Sequence, residues 1–376
     1  MLTTSGDARD SATADAGPNA HAAVAALLAE GERGIQVAAF LAGEPVWEIA
    51  AGRMSQTGPD VNPETVFFAA SAGKVSTATA LHRQVARGLV EYDTPIASVW
   101  PDFAAEGKRA LTVRDALTHR LGLADVPVQD LHGDWEAIVD RLARARPSSD
   151  PLAHDAYHAF TWGFVVGEII RRVDPVPRSF VDIVRTEVHE PLGITELWHA
   201  LPPTEHGRTA VVAGDILRGD PYDFVVTEDH AFNTPAHREQ VDPSGAFMTA
   251  RAGARLWSAY TRQGSAEANA FLPPEVIRSF LAPRAGAHPS GVLVGGRGVI
   301  GQGGLMVGGT VPRHREVLGF GENVLWHPGA GGTLGFADVD AGLAVMICHN
   351  RLFDERPLPQ HPFAPLIRAI YTDVLG

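Results

Sequence analysis

The chain has 376 residues, of which 45% are hydrophobic and 20% are charged, which is typical of a globular protein large enough for two lobes around one core. The 44 acidic and 31 basic residues give a net charge of −13, which argues against a nucleic-acid partner because phosphate binding needs a basic face. We find no run of eighteen apolar residues and only one cysteine, Cys348, so we expect a cytoplasmic protein with no membrane partner and a buried structural thiol.

In chain order, residues 1–19 come first. They lack the basic start and apolar core of an export signal, and we expect a disordered or loosely docked lead. Residues 20–32 are predicted to be a helix that ends near Gly31. Residues 34–53 are predicted to be two strands joined by a turn at Gly43, Glu44 and Pro45. The segment 71–87 follows as a helix, because apolar residues recur in it at spacings of three and four and Gly88 supplies a stop.

The middle of the chain is predicted to be mainly helical. Helices are expected over residues 111–123, 135–147, 157–174 and 245–264. Gly163 and Gly167 are four residues apart, which suits close helix packing. Residues 201–241 are rich in Pro, Gly, His and Asp and are interpreted as a surface excursion. His119 and Ser244 are predicted to have structural roles.

Glycine-punctuated strands are expected again from residue 291 to residue 350, and a final helix closes the chain. Strands at both ends with helices between them predict an antiparallel sheet built from both ends of the chain. We therefore expect a sheet lobe from residues 20–68 and 285–376, and a mainly helical lobe from residues 69–284, with an active site between the lobes.

Ser71 and Lys74 are three residues apart at the start of a predicted helix. At this spacing the two side chains share a face, so the lysine amine can accept the serine proton, provided that it is kept neutral, for example by burial. The apolar residues 66–70 favour that burial. Because serine is also a common helix cap, this pair alone leaves a purely structural role open.

Two further segments have residues suited to the same chemistry. Tyr157, predicted at the start of a helix, can relay a proton when it lies near a lysine amine. The glycine-rich segment 327–332, which begins with His327, can let a substrate approach the backbone and can supply an N–H group to an oxyanion. Taken singly, a core tyrosine and an ordinary tight turn are the alternatives.

In this order, the segments "SAGK", "YHA" and "HPGAGG" resemble the serine β-lactamase-related hydrolases, a group that includes class C β-lactamases, D-alanyl-D-alanine peptidases and family VIII carboxylesterases. The resemblance runs from about residue 20 to the end of the chain. It implies an α+β fold, in which an antiparallel sheet flanked by terminal helices carries an inserted, mainly helical lobe.

The resemblance also implies roles for individual residues. Ser71 would be the acylated nucleophile, Lys74 its proton acceptor, and Tyr157 a proton carrier in both half-reactions. His327 and Gly329 would match the Lys-Thr-Gly-type motif that lines the cleft. The backbone N–H groups of Ser71 and of Ala330 would form the oxyanion hole.

The sequence departs from the β-lactamase pattern in two places. Ala159 stands where class C β-lactamases have an asparagine, and His327 and Pro328 replace the usual lysine and threonine. These departures favour a serine esterase that acts on a small-molecule ester or acyl substrate and uses no cofactor and no metal. The alternatives are an acyltransferase acting on a biosynthetic intermediate, a β-lactamase or D-Ala-D-Ala peptidase, and a non-catalytic binding protein. The oligomeric state is left open.

Overall fold

The computed structural model describes residues 17–131, 133–152, 156–214, 228–261, 265–284, 299–308, 321–353 and 361–376. The α-helices in these ranges are α1 (Pro18–Ala29), α2 (Lys74–Ala86), α3 (Ile96–Val99), α4 (Val113–Leu117), α5 (Trp135–Arg144), α6 (Thr161–Val173), α7 (Phe180–Val184), α8 (Glu190–Leu192), α9 (Pro235–Glu239), α10 (Ala250–Ser258), α11 (Ala266–Phe271), α12 (Pro274–Phe280) and α13 (Ala364–Leu375). The strands are β1 (Gly34–Leu41), β2 (Glu44–Gly52), β3 (Phe67–Phe68), β4 (Leu197–Trp198), β5 (Phe247–Met248), β6 (Val299–Ile300), β7 (Met306–Val307), β8 (Val324–Pro328), β9 (Leu334–Asp338) and β10 (Leu343–His349).

The larger sheet has the strand order β2-β1-β10-β9-β8-β7-β6, and all neighbouring strands are antiparallel. Strands from the two ends of the chain pair within this sheet, because β1 lies next to β10 and Val37 lies opposite Ile347. This arrangement confirms the predicted α+β class and the sheet built from both ends. A small second sheet has the order β3-β5-β4 and lies beside the start of α2.

Both faces of the larger sheet are covered, which explains why its central strands are buried on both sides. Along β1, Ile35, Val37 and Ala39 join the apolar cluster under α1 and α13, whereas Ala38 and Phe40 join the cluster that includes α10 and the helical region. This alternation is the period of two expected for a strand. The α1 and α13 helices pack against each other across that outer face.

The hairpin turn between β1 and β2 differs from the prediction. It consists of Ala42 and Gly43, with φ of 52° and 90°, and Glu44 and Pro45 already belong to β2. Two consecutive residues with positive φ are typical of the two-residue turns that match the twist of paired strands. Alanine is an uncommon residue in that conformation, which is why the sequence pointed to the residues after it.

Helix α2 lies at the centre of the helical region. Ten of its thirteen residues are buried, so it is covered all round and does not present the single buried face that the spacing of its apolar residues predicted. Helix α6 packs against it. The start of α2, with Lys74, is therefore held in the interior of the protein.

Several helices are shorter than predicted. Only residues 113–117 of the segment 111–123 form an α-helix, and the first residues of the segment 245–264 form β5. The segment 201–241 is not wholly a surface excursion, because Leu201, Ala210 and Val212 are buried, and Leu201 and Val212 pack beside Phe68 and Ala70 in one apolar cluster. Residues 215–227 of that segment lie outside the described residues.

None of the helices in the described ranges is both long enough and apolar enough to cross a membrane. Cys348 is buried in β10, as predicted. The division into lobes at residues 68 and 285 stays a prediction, and most of the predicted lead of residues 1–19 lies outside the described residues.

Candidate active site

Ser71 lies in a single 3₁₀ turn, Ala70–Gly73, and Lys74 is the first residue of α2. Side chains three residues apart eclipse each other in a 3₁₀ turn, and Lys74 Nζ is 3.1 Å from Ser71 Oγ. Ala70 has a φ of 46°, an uncommon backbone conformation for a residue with a Cβ. Strain of this kind persists where the surrounding structure fixes it, and here it stands immediately before the serine.

The Lys74 amine is held by two carbonyl groups from distant parts of the chain. Its Nζ donates hydrogen bonds to the carbonyl oxygen of Ala159 at 2.7 Å and to that of Ser244 at 3.1 Å, and the side chain is 1% exposed. A neutral amine has two N–H groups and one lone pair. When both N–H groups are used by the carbonyls, the lone pair is available to the Ser71 hydroxyl.

Burial lowers the pKa of Lys74 from 10.5 to about 7, and the charge of Asp242 opposes this shift only in part. A substantial share of the amine is therefore neutral near pH 7. This is the protonation state in which an amine can remove the proton from a serine hydroxyl.

Tyr157 lies beside Lys74 but not where it was predicted. It precedes α6 by four residues and belongs to no helix or strand, so the predicted helix 157–174 begins too early. The Lys74 Nζ is 5.1 Å from the centre of the Tyr157 ring. The hydroxyl approaches Ser71, an interaction that lowers its pKa, but the geometry falls short of an ordinary hydrogen bond. Burial dominates and raises the pKa of Tyr157 well above 10, so the group is a neutral phenol at pH 7.

His327 lies at the end of β8, and its ring centre is 6.2 Å from that of Tyr157. Its Nδ1–H donates to the carbonyl oxygen of Pro328 at 2.7 Å, which leaves Nε2 without a proton in the neutral ring. Burial, and then the charge of Lys74, lower the pKa of His327 from 6.5 to about 3. The position that carries a lysine in β-lactamases is therefore uncharged here at neutral pH.

Gly329 brings the end of β8 against the nucleophile segment. A Cβ at this position would lie 2.3 Å from the carbonyl oxygen of Ala69, a distance that real Cβ atoms do not reach. Ala330 follows in an exposed turn. The structure thus brings Ser71, Lys74, Tyr157, His327 and Gly329 close together. The oxyanion role of the Ser71 and Ala330 N–H groups stays a prediction.

The segment 242–245 contains Ser244, whose carbonyl oxygen accepts a hydrogen bond from Lys74, and the sequence did not predict this contact. Thr77 donates to the carbonyl oxygen of Pro243 at 2.7 Å. His199 Nδ1 bonds to the carbonyl oxygens at both ends of the segment, at 3.0 and 2.8 Å, so its Nε2 accepts from the Ser76 hydroxyl at 3.0 Å. These bonds fix the Ser244 carbonyl above Lys74, and Ser244 has a more specific role than the predicted turn or cap.

Two glycines allow this segment to approach the helices. A Cβ at Gly73 would lie 2.5 Å from the Ala246 nitrogen, and one at Gly163 would lie 2.4 Å from the backbone of Pro243. Gly167 faces aromatic side chains. The predicted close helix packing is confirmed at Gly167, whose neighbours Trp135 and Phe180 lie on α5 and α7, but not at Gly163, which packs against the loop that holds Lys74.

A cavity of about 520 Å³ opens near the Lys74 partners. Its apolar wall includes Phe160, which is 45% exposed and follows Ala159 in the chain, and Phe232, whose ring centre is 4.3 Å from that of Phe68 with the planes tilted by 42°. Asp242 lies on its rim. Phe160 therefore places apolar cavity surface next to Ala159, whose carbonyl oxygen accepts a hydrogen bond from Lys74 Nζ.

Comparison with known proteins agrees with this geometry. A sequence model of the beta-lactamase family matches residues 20–366. The chain is 29% identical over 352 residues to the Esterase/beta-lactamase LipL of Mycobacterium tuberculosis (strain ATCC 25618 / H37Rv), over 86% of this chain and 79% of that protein.

Among solved structures, a novel penicillin-binding protein homolog from Caulobacter crescentus superposes with a TM-score of 0.82 at 27% identity, over 100% of both chains. A family VIII carboxylesterase superposes with a TM-score of 0.84 at 23% identity, also over 100% of both chains. At that identity the carboxylesterase supports the fold alone.

Proposed function

Because this chain belongs to the beta-lactamase family, we propose that it is a serine hydrolase that cleaves carboxylic esters through an acyl-enzyme on Ser71. The observation that carries the proposal is the set of three contacts made by Lys74 Nζ, to Ser71 Oγ and to the carbonyl oxygens of Ala159 and Ser244. This set uses both N–H groups of a neutral amine and directs its remaining lone pair to the serine.

Acylation starts when neutral Lys74 accepts the proton of the Ser71 hydroxyl. Ser71 Oγ then bonds to the carbonyl carbon of the ester, and the carbonyl oxygen becomes an oxyanion held by the N–H groups of Ser71 and Ala330. The tetrahedral intermediate collapses when the bond to the leaving alkoxide breaks. The proton moves from Lys74 through the Tyr157 hydroxyl to that oxygen, so an alcohol leaves and an ester of Ser71 remains.

Deacylation runs the same transfers in reverse. A water molecule loses a proton to Lys74 by way of Tyr157 and attacks the acyl carbon. The bond to Ser71 Oγ then breaks, and Lys74 returns the proton to Oγ. The products are a carboxylic acid and the free serine. Tyr157 serves as a relay and not as a standing phenolate, because burial keeps its pKa well above 10.

The charge of the cleft favours a neutral ester over a β-lactam. A β-lactam antibiotic carries a carboxylate, and binding it requires a cation or several hydrogen-bond donors. His327 is uncharged because its pKa is lowered to about 3, and Ala159 has no amide side chain. The apolar cavity beside Phe160 suits the carbon chain of an ester. The name of the Mycobacterium tuberculosis relative includes both activities, and these features favour the first.

A substrate panel tests the proposal. We expect turnover of p-nitrophenyl acetate, butyrate and hexanoate by the wild type and none above the background rate by Ser71→Ala. We expect kcat/KM for benzylpenicillin to be at least about 100-fold lower than for the best ester, since a missing charged contact costs about 3 kcal/mol. Ester turnover by Ser71→Ala at the wild-type rate would refute the mechanism. Faster hydrolysis of benzylpenicillin than of every ester would favour a β-lactamase, and a product that forms only with an added alcohol or amine would favour an acyltransferase.

A further inference from the structure

Tyr157 must be positioned by contacts with other parts of the chain, because it lies outside any helix or extended strand. The turn 117–123 supplies those contacts. The His158 N–H donates to His119 Nδ1 at 3.0 Å, the Leu123 N–H donates to His158 Nε2 at 2.9 Å, and Trp162 Nε1–H donates to the Leu117 carbonyl oxygen at 3.0 Å. The backbone on the C-terminal side of Tyr157 is thereby tied to the turn that follows α4.

His119 also touches the Tyr157 side chain. The ring centres of the two residues are 4.8 Å apart with an angle of 31° between the planes. On the same imidazole, Trp162 stacks at 5.7 Å with an angle of 17°. His119 therefore holds both the ring of Tyr157 and the backbone N–H of the next residue.

The hydrogen bond to His158 fixes the protonation state of His119. A backbone N–H can only donate, so Nδ1 must present its lone pair, and the neutral ring carries its proton on Nε2. Burial holds the pKa of His119 well below 6.5, and the charged or titratable groups facing it, His158, Lys74, His327 and Arg284, act in the same direction. Protonation of Nδ1 would break this bond.

The backbone of His119 is itself unusual. Its φ is 61°, in the left-handed region that only a few per cent of residues other than glycine adopt, histidine, asparagine and aspartate more often than the rest. Such conformations are retained where the surrounding contacts fix them, and they are concentrated at functional sites. The side chain is 1% exposed, so the conformation is held by packing within the protein.

We propose that His119 is a positioning residue for Tyr157: its Nδ1 acceptor and its ring hold the tyrosine so that the hydroxyl faces Ser71. The inference rests on the proposed function for the role of Tyr157. It predicts that the acceptor atom at position 119 matters more than the ring, because the bond to His158 sets the backbone from which Tyr157 projects.

Two variants separate these contributions. His119→Phe keeps an aromatic ring and removes the acceptor, whereas His119→Asn keeps an acceptor close to the position of Nδ1 and suits the positive φ. The readout is the second-order rate constant for labelling of Ser71 by a fluorophosphonate, which needs no knowledge of the natural ester. We expect a loss of about 30-fold in His119→Phe and recovery to within about fivefold of wild type in His119→Asn, in keeping with the size of general acid–base effects.

A double-mutant cycle with Tyr157→Phe tests whether His119 acts through the tyrosine. In the Tyr157→Phe background, His119→Phe should slow labelling by no more than about threefold further, since residues that act through one another are not additive. His82→Phe is the matched control, because His82 is a buried imidazole on α2 that bonds to Tyr92 and stacks on Phe280. The His82→Phe variant should be labelled at the wild-type rate.

Three results would overturn the positioning role. They are wild-type labelling by His119→Phe, equal losses in His119→Phe and His119→Asn, and an undiminished effect of His119→Phe in the Tyr157→Phe background. Labelling of Ser71→Ala at the wild-type rate would instead refute the proposed function, whatever the His119 variants do. Thermal unfolding of each variant shows whether slower labelling comes from a less stable protein. Slower labelling caused by instability would persist when His119→Phe is made in the Tyr157→Phe background.

Discussion

The Lys74 amine donates a 2.7 Å hydrogen bond to the carbonyl oxygen of Ala159, two residues beyond Tyr157. This bond joins α2, which begins with the proposed base directly after the turn that carries the proposed nucleophile, to the segment that carries the proposed proton relay. The side chain of residue 159 can therefore change from asparagine to alanine without loss of the contact, because the backbone makes it.

The pH dependence of ester hydrolysis should report the Lys74 amine. The neutral form is the active one and the pKa is lowered to about 7, so kcat/KM should fall about tenfold per pH unit below that value and level off above about pH 8. The measurement is kcat/KM for one p-nitrophenyl ester from pH 5 to pH 9, with the background rate subtracted. A profile that still rises steeply above pH 9 would show that the amine keeps an ordinary pKa.

Lys74 should also make the stability of the protein depend on pH. Its pKa is about 7 in the folded state and 10.5 as the ordinary value, so the unfolded chain binds more protons between these values and stability falls as pH decreases through this range. We expect Lys74→Met to lack this component. Between about pH 9.5 and pH 7, the free energy of unfolding of the wild type should fall by up to about 3 kcal/mol more than that of Lys74→Met, from 1.4 kcal/mol per pKa unit.

Urea denaturation of the two proteins at both pH values measures this difference. The lost hydrogen bonds of Lys74 give a constant offset, which cancels in the comparison. Parallel pH dependence in the two proteins would contradict the lowered pKa.

Gly329→Ala should separate β8 from the nucleophile segment. The new Cβ would lie 2.3 Å from the carbonyl oxygen of Ala69, so one of the two backbones must move. A displacement of about 1 Å at a reacting group can cost about 100-fold in rate, and we expect kcat/KM to fall at least tenfold. Gly207→Ala is the control, since a Cβ there meets nothing within 4 Å. Wild-type activity in Gly329→Ala would show that this contact does not position the site.

Phe160→Ala should change the preference for ester length. Phe160 lines the 520 Å³ cavity and is 45% exposed, so contact with it buries apolar surface of a long acyl chain. Loss of about 1 kcal/mol of burial should lower kcat/KM for a hexanoate ester about fivefold and for an acetate ester less than twofold. Val176→Ala removes an exposed apolar side chain elsewhere and should change neither value. Equal losses for both esters would place the acyl chain outside this cavity.

The local parts of the site could be predicted from the sequence. A spacing of three residues places Lys74 over Ser71 in any helical turn, and the strand pattern at both ends of the chain indicated the antiparallel sheet. Capping residues could have improved the boundaries. Thr249 accepts from the Ala252 N–H and so marks the start of α10, a signal present in the sequence.

The contacts that tune the site could not be predicted in the same way. The two carbonyl acceptors of Lys74 come from 85 and 170 residues further along the chain, and backbone carbonyls leave no mark in a sequence. The contact of His119 with Tyr157 joins residues 38 positions apart, so the sequence predicted only a structural role for His119. Its positive φ is visible only in the folded chain.

The most direct test of the central claim is rapid mixing of the wild type with p-nitrophenyl butyrate, followed by acid quench, digestion and mass measurement of the peptides. A burst of p-nitrophenol equal to the enzyme concentration, together with one added butyryl group on the peptide that contains Ser71 and neither signal in Ser71→Ala, is the result that we predict. Turnover of the ester by Ser71→Ala with no added mass on the wild type would contradict the acyl-enzyme.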